Sequence, residues 1–177
     1  MTDAELVERL KAYDDDAYRE AIARYGDALY RYVYSLTGDH HLCEDVVGET
    51  YLKMIEAIGG YTYYGVPFKS WLYRIAHNLA LNALKRASRT VGVDDLDRVA
   101  RPITDPAIRI ADRLEAAEVR TALDQLTDEQ RQVLLLRFAA GQSPREVAQT
   151  LEKSENAVKQ MQWRALRALE RLLPPRG

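Results

Sequence analysis

Apolar positions recur at intervals of three and four along most of the chain. Leu29, Tyr32, Val33 and Leu36 follow this spacing, as do Leu72, Ile75, Ala76 and Leu79, and Leu123, Leu126, Val133 and Leu134 continue it. No stretch shows the strict alternation of a half-buried strand. Breaks fall at "TGD" (37–39), at "GGYTYYGVP" (59–67) and at Gly141 before "SPRE". The expected fold class is all-α, with two small helical domains joined by a flexible linker and a helix-turn-helix in the C-terminal one. The expected boundaries are 1–89, a linker at 90–112, and 113–177. Across "TVGVDDLDRVARPITDPAI" the helical period lapses among prolines and acids. Extended at ~3.3 Å per residue, such a linker reaches on the order of 60 Å, beyond one ~34 Å turn of DNA.

The C-terminal segment "SPREVAQTLEKSENAVKQMQWRALRALERLL" carries its own punctuation. Ser143, Pro144 and Glu146 form an N-cap, an N1 proline and a capping-box acid, so a short helix should start there and run to about Leu151. "EKS" turns the chain, and Ser154 can cap a second helix whose Val158, Met161, Leu166 and Leu169 should face the first. This is the grammar of a helix-turn-helix. Asn156, Lys159, Gln160 and Arg164 are residue types that donate to base edges and phosphates, and Trp163 lies beside them. A basic amphipathic helix closing a bundle would use the same residues. Thr127 and Gln130 offer another capping box for a supporting helix in "DEQRQVLLLRFAAG".

Composition alters the picture through the arrangement of charge. The chain has 177 residues, 47% of them hydrophobic, with a formal net charge of −2 and a pI near 6.0. Its average charge therefore announces no nucleic acid. Yet residues 1–56 are dominated by Asp and Glu, whereas 57–93 hold only Lys69, Arg74, Lys85, Arg86 and Arg89 as formal charges. Carboxylates kept out of one stretch point to an anionic partner. A helix from about Pro67 to Arg86 should turn Phe68, Leu72, Ile75 and Leu79 inward, leaving Lys69, Arg74, His77, Asn78 and Lys85 largely outside that stripe. Before it, Tyr61, Tyr63 and Tyr64 sit on a glycine-bounded loop. Rings beside a basic helix suit unstacked bases better than a closed duplex. Covering a core edge is the other use of such tyrosines.

In "DHHLCEDVVGETYLKMIEAI", Asp45 and Glu49 stand at i and i+4, a like-charge pair that disfavours the helix slightly, with Gly48 between them. Such an acidic surface invites a protein partner, and a solvated face is its plainer explanation. "HHLC" offers His40, His41 and Cys43, but successive helical positions diverge and no fourth ligand is evident, so no metal and no cofactor are expected. Neither a nucleophile motif nor a glycine-rich phosphate loop is present, so an enzyme is not expected. A single cysteine, an acidic N-terminus unlike a signal peptide, and the lack of any ~18-residue apolar run imply a cytoplasmic protein without membrane insertion.

Four segments, "YGDALYRYVYSLTGD", "CEDVVGETYLKM", "FKSWLYRIAHNLALNALKR" and "LTDEQRQVLLLRFAAGQSPREVAQTLEKSENAVKQMQWRALRAL", occur in the order and spacing of the extracytoplasmic-function sigma factors of bacterial RNA polymerase, which the chain resembles over almost its whole length. The resemblance implies a sigma factor, with region 2 in residues 1–89 and region 4 in 113–177. It implies that Asp45, Val46, Glu49 and Leu52 bind core polymerase at the β′ clamp coiled coil. Tyr61, Tyr63, Tyr64, Phe68, Lys69, Trp71, Arg74, His77, Asn78, Lys85 and Arg86 would melt and hold the single-stranded −10 element of promoter DNA. Ser154, Asn156, Lys159, Gln160, Trp163 and Arg164 would read the −35 element, in a domain that also touches the β flap. Control is expected from a separate partner, an anti-sigma factor, because the chain ends at "LLPPRG" without a further domain. His77 stands where the family often has Arg, Asn82 where Asp is common, Gly48 where Gln is common, and Glu152 where the turn often has Gly. The rivals are a dimeric regulator of closed duplex and a sigma-like decoy for an anti-sigma factor.

Overall fold

The computed structural model describes the backbone of residues 1–90 and 110–173, with side chains described for 1–89 and 117–173. Eight α-helices run through the described residues: α1 Asp3–Lys11, α2 Asp15–Thr37, α3 His40–Ala57, α4 Phe68–Thr90, α5 Ile110–Asp124, α6 Asp128–Leu134, α7 Pro144–Leu151 and α8 Glu155–Leu172. No strand occurs among them. The expected linker lies largely outside the described residues.

Most helix starts are fixed by a side chain that satisfies an otherwise orphaned amide. Thr2 with Glu5, Thr127 with Gln130 and Ser143 with Glu146 form reciprocal capping boxes. Asp14, Asp39 and Ser154 cap α2, α3 and α8. Gly38 ends α2 in the left-handed region at φ 66°, where a Cβ would be strained. Glu152 takes the same conformation at the end of α7, φ 56°, without glycine's freedom.

Helices α1 to α4 pack around Leu6, Leu10, Leu29, Tyr32, Val33, Met54, Phe68 and Leu72, all nearly or fully buried. Each such side chain removed from water contributes about 1.5–3 kcal/mol. The same core continues without a break into Val133, Leu136, Val147 and Val158, so the C-terminal helices are packed onto the first four. A second cluster of Leu126, Leu134 and Ala165 ties α6 to α8.

The buried stripe of α4 is rotated from the expected one. Phe68 and Leu72 face inward as expected, but Tyr73, Ala76, His77 and Ala80 complete the buried face, while Ile75 and Leu79 are only half-buried. Leu166 is exposed rather than packed on α7, and its neighbour Ala165 is buried against Leu126 and Leu134 on the α6 side. Beyond α6 the chain widens into a π-helical turn over Leu135–Ala139, closed by the Ala140 amide donating to the Leu135 carbonyl at 3.0 Å. That turn shifts the phase of the following residues and directs Leu135 and Leu136 into the core.

Candidate polymerase and nucleic-acid interface

Three surfaces collect the residues singled out by sequence. On α3, Val46 is buried and fastens the helix, correcting its expected place in a contact surface. Asp45 is exposed, Glu49 half-exposed, and Leu52 bares 62% of its surface. An exposed leucine on the same side of α3 as two carboxylates makes an apolar spot with an acidic rim. Cys43, on the opposite side of α3, is buried and free, its thiol pushed up to about 12 by burial. That leaves it a packing residue, not a reactive one.

The second surface is the loop 61–67 and α4. Tyr61 is buried: its hydroxyl donates to the Val66 carbonyl at 2.8 Å and its ring packs at 5.0 Å from Trp71 and 6.0 Å from Phe68. Tyr25 closes the cluster against Phe68 at 5.7 Å, and its hydroxyl donates to Asp3 at 2.9 Å. Tyr61 and Phe68 therefore shape the loop from inside and are not available to a base, a correction to their expected contact role. Tyr63 and Tyr64, 68% and 86% exposed, are the rings the loop presents. Lys69 and Trp71 are half-buried, while Asn78, Lys85 and Arg86 are exposed along α4.

His77 is the clearest correction. It is only 6% exposed, its Nδ1 lies 2.7 Å from the buried Tyr32 hydroxyl, and burial drives its pKa down to about 4. A neutral imidazole shares a hydrogen bond with the Tyr32 hydroxyl and carries no charge to a phosphate. Arg74 is half-buried and already engaged. Its Nε donates to the Gln149 carbonyl on α7 at 3.1 Å, a second guanidinium nitrogen reaches the same oxygen, and Nη1 lies 3.6 Å from Glu152.

The third surface is α8. Ser154 caps it, its hydroxyl accepting from the Ala157 amide at 3.1 Å. Asn156, Lys159, Gln160, Trp163 and Arg164 are exposed in succession along one side. Trp163, 61% exposed, lies under the Arg167 guanidinium at 5.3 Å. Trp163, Arg164, Arg167 and Arg171 line a shallow groove together with Gln130 from α6. Arg167 and Arg171 escaped the sequence reading, although they stand one and two helical turns beyond Arg164, which it singled out. Gln149 gave no sequence signal, because what matters is its position against α4. Among the described residues, no cluster of His, Cys, Asp or Glu is placed to hold a metal ion, and no helix is long and apolar enough to cross a membrane.

Comparison with known proteins coincides with these surfaces. The profile described as Sigma-70 region 2 matches residues 21–90, covering α3, the tyrosine loop and α4, and that described as Sigma-70, region 4 matches residues 116–169, covering the helix-turn-helix. The ECF RNA polymerase sigma factor BldN of Streptomyces coelicolor is 37% identical over 96% of this chain, and SigX of Bacillus subtilis is 31% identical over 83%. This chain spans 65% of BldN and 78% of SigX. Among solved structures, CnrH in complex with the cytosolic domain of CnrY superposes with a TM-score of 0.74 at 26% identity, over 96% of both chains. The sigma factor RpoE of Bartonella quintana, in complex with the anti-sigma factor NepR, shares the fold with a TM-score of 0.69 at 24% identity, over 88% of this chain and 95% of that one. The chain belongs to the extracytoplasmic-function RNA polymerase sigma factors of the sigma-70 family.

Proposed function

We propose that this protein binds bacterial core RNA polymerase, directs it to promoters and assists their melting. The observation that carries the reading is the separation of three chemically distinct exposed surfaces on one helical scaffold: acidic and apolar on α3, aromatic on the loop before a basic α4, and basic on α8. Asp45, Glu49 and Leu52 form the docking surface for the β′ clamp coiled coil. Lys159, Gln160 and Arg164 read the −35 element, with Asn156 and Ser154 near the start of α8 close to the phosphates.

Tyr63 and Tyr64 receive unstacked bases of the −10 element, supported by Lys69, Trp71, Arg74, Asn78, Lys85 and Arg86. Stacking on an aromatic ring contributes about 1–3 kcal/mol per base. Extruding a base from duplex costs a few kcal/mol. Two rings thus balance the opening of one step, and binding of the separated strand shifts the equilibrium without covalent chemistry. The protein is a cytoplasmic, non-catalytic factor in this reading. Its partners are core polymerase, promoter DNA and an anti-sigma factor, of the kind the RpoE relative is seen bound to.

The α3 assignment is tested by competition for core polymerase. Asp45→Lys with Glu49→Lys should reduce affinity by at least about tenfold, as for like charges brought together at an interface. Equal competition by variant and parent would remove the docking role.

A further inference from the structure

Helix α1 lies ahead of the segment that matches Sigma-70 region 2, which begins at residue 21. It nevertheless packs against the 3-10 turn Ile58–Gly60 that leads into the tyrosine loop, as well as against α2. Leu6 and Leu10 of α1 and Ile58 of the turn share the core, each at most 1% exposed. A second route to the loop runs through polar side chains. Asp3, in the first turn of α1, offers one carboxylate oxygen to two donors from α2: the Tyr25 hydroxyl at 2.9 Å and Arg24 Nη1 at 2.9 Å. The capping box of Thr2 and Glu5 fixes where α1 begins, and so where that carboxylate stands.

Tyr25 is 7% exposed, and burial, followed by the Asp3 hydrogen bond, pushes its hydroxyl up to about 12, so it stays a donor at neutral pH. A buried hydroxyl needs its acceptor. From Tyr25 the contacts pass ring to ring: Phe68 lies 5.7 Å away and meets the Tyr61 ring edge-on at 6.0 Å. The Tyr61 hydroxyl then donates to the Val66 carbonyl at 2.8 Å. These last two residues bracket the loop, with exposed Tyr63 and Tyr64 between them. A Cβ at Gly59, Gly60 or Gly65 would meet nothing within 4 Å, so packing at those points does not hold the loop. Its set depends on the Tyr61 tether, and the tether rests on Tyr25 and Asp3.

We propose that α1 is a positioning element for the tyrosine loop, and that Asp3 acts through Tyr25, Phe68 and Tyr61 to hold Tyr63 and Tyr64 in the conformation that receives unstacked bases. The role in base binding rests on the −10 reading above, whereas the coupling from Asp3 to the loop does not. Loss of the carboxylate orphans the Tyr25 hydroxyl and draws that ring toward water. Phe68 and Tyr61 are then free to shift, and the loop spends less time in its binding-competent form.

Trp71 reports the coupling without DNA, since its ring lies 5.0 Å from Tyr61 and 5.8 Å from Phe68. The chain has two tryptophans, so Trp163→Phe leaves Trp71 as the sole indole emitter. In that background Asp3→Ala and Tyr25→Phe should increase acrylamide quenching of Trp71 while circular dichroism shows the helices intact. Asp3→Asn, which keeps an acceptor oxygen, should restore most of the parent's protection. Arg9→Ala removes the ion pair of α1 with Asp14, at the other end of the helix, and should leave quenching unchanged. Unchanged quenching in folded Asp3→Ala, or an equal increase in Arg9→Ala, would overturn the coupling.

Function is read with holoenzyme assembled from core polymerase and the full chain, by its affinity for a fluorescent single-stranded oligonucleotide carrying the −10 element. Asp3→Ala should weaken that binding about fivefold, because apparent affinity scales with the competent population. Asp3→Asn should stay near the parent, and core affinity should be unchanged in both. Unchanged oligonucleotide affinity in Asp3→Ala, when Tyr64→Ala weakens it, would overturn the positioning role. Unchanged affinity in both Asp3→Ala and Tyr64→Ala would instead overturn the −10 reading and the role with it, while quenching still decides the coupling.

Discussion

His77 shows where residue-level reading from sequence stops. A histidine in a carboxylate-free stretch looked like part of an anion-binding face, and its neighbours Lys69, Asn78 and Lys85 do lie outward or at the boundary. What the sequence did not disclose is that Tyr32 faces it from α2, 45 positions earlier, and supplies a hydrogen bond at 2.7 Å. Burial then wins over solvation of the charge. Because its folded pKa, about 4, lies below the ordinary 6.5, the unfolded chain binds the extra proton between those values. Stability is therefore complete above about pH 6.5 and is lost as pH falls toward 4, by about 3 kcal/mol for this group. Denaturation curves of parent and His77→Leu from pH 4 to 7 check this. The variant is less stable at pH 7, since Tyr32 loses its partner, but its curve should fall less steeply with acid. Equal slopes would contradict a buried neutral His77. Tyr64 belongs to the same scale. Tyr64→Ala should weaken binding of a −10 single strand about 5- to 150-fold, the equivalent of 1–3 kcal/mol of stacking, and Tyr64→Phe should retain most of it.

At the scale of elements, the ends of helices were more legible than their faces. The Ser143, Pro144 and Glu146 signals, the Thr127 capping box and the Ser154 cap all appear where local chemistry dictates, since each depends on residues within one turn. Ser143→Ala should accordingly cost about 1 kcal/mol of stability, read by thermal or urea unfolding. The π-helical turn over Leu135–Ala139 was not legible, because "LLLRFAAG" is apolar whichever phase it adopts and tertiary packing selects the phase. The α4 stripe drifted for a related reason: Tyr73 and His77 carry polar atoms, and only the opposing helices decide that they go inside. The exposed side of α8 was legible because helix 155–172 is amphipathic and its basic residues have few buried neighbours. If Lys159 and Arg164 each neutralise a phosphate, replacing both with Ala should lower the salt slope of −35 duplex binding by about 1.8, at ~0.9 per contact. An unchanged slope and footprint would move DNA reading off this helix.

The whole molecule combines what sequence conveyed well with what it could not convey. Helical class, the helix-turn-helix and the division of charge follow from periodicity and composition. Packing of the C-terminal helices onto α2 and α4 does not, because Arg74, Gln149, Arg131 and Ser35 are joined across 75 and 96 positions and carry no mutual pattern. That packing engages Arg74, a cation of the proposed −10 surface, and leaves Asp45 and Leu52 on α3 exposed. The claim on which the account depends is that this chain confers promoter-specific initiation on core polymerase. Run-off transcription of genomic fragments with purified core polymerase from the source organism, with and without this protein, tests it most directly. The account predicts transcripts that require the protein, whose upstream regions share two elements at fixed spacing and which are lost when Asp45 and Glu49 are both changed to Lys. Core binding with no protein-dependent transcript from any fragment would contradict it and favour a sigma-like decoy.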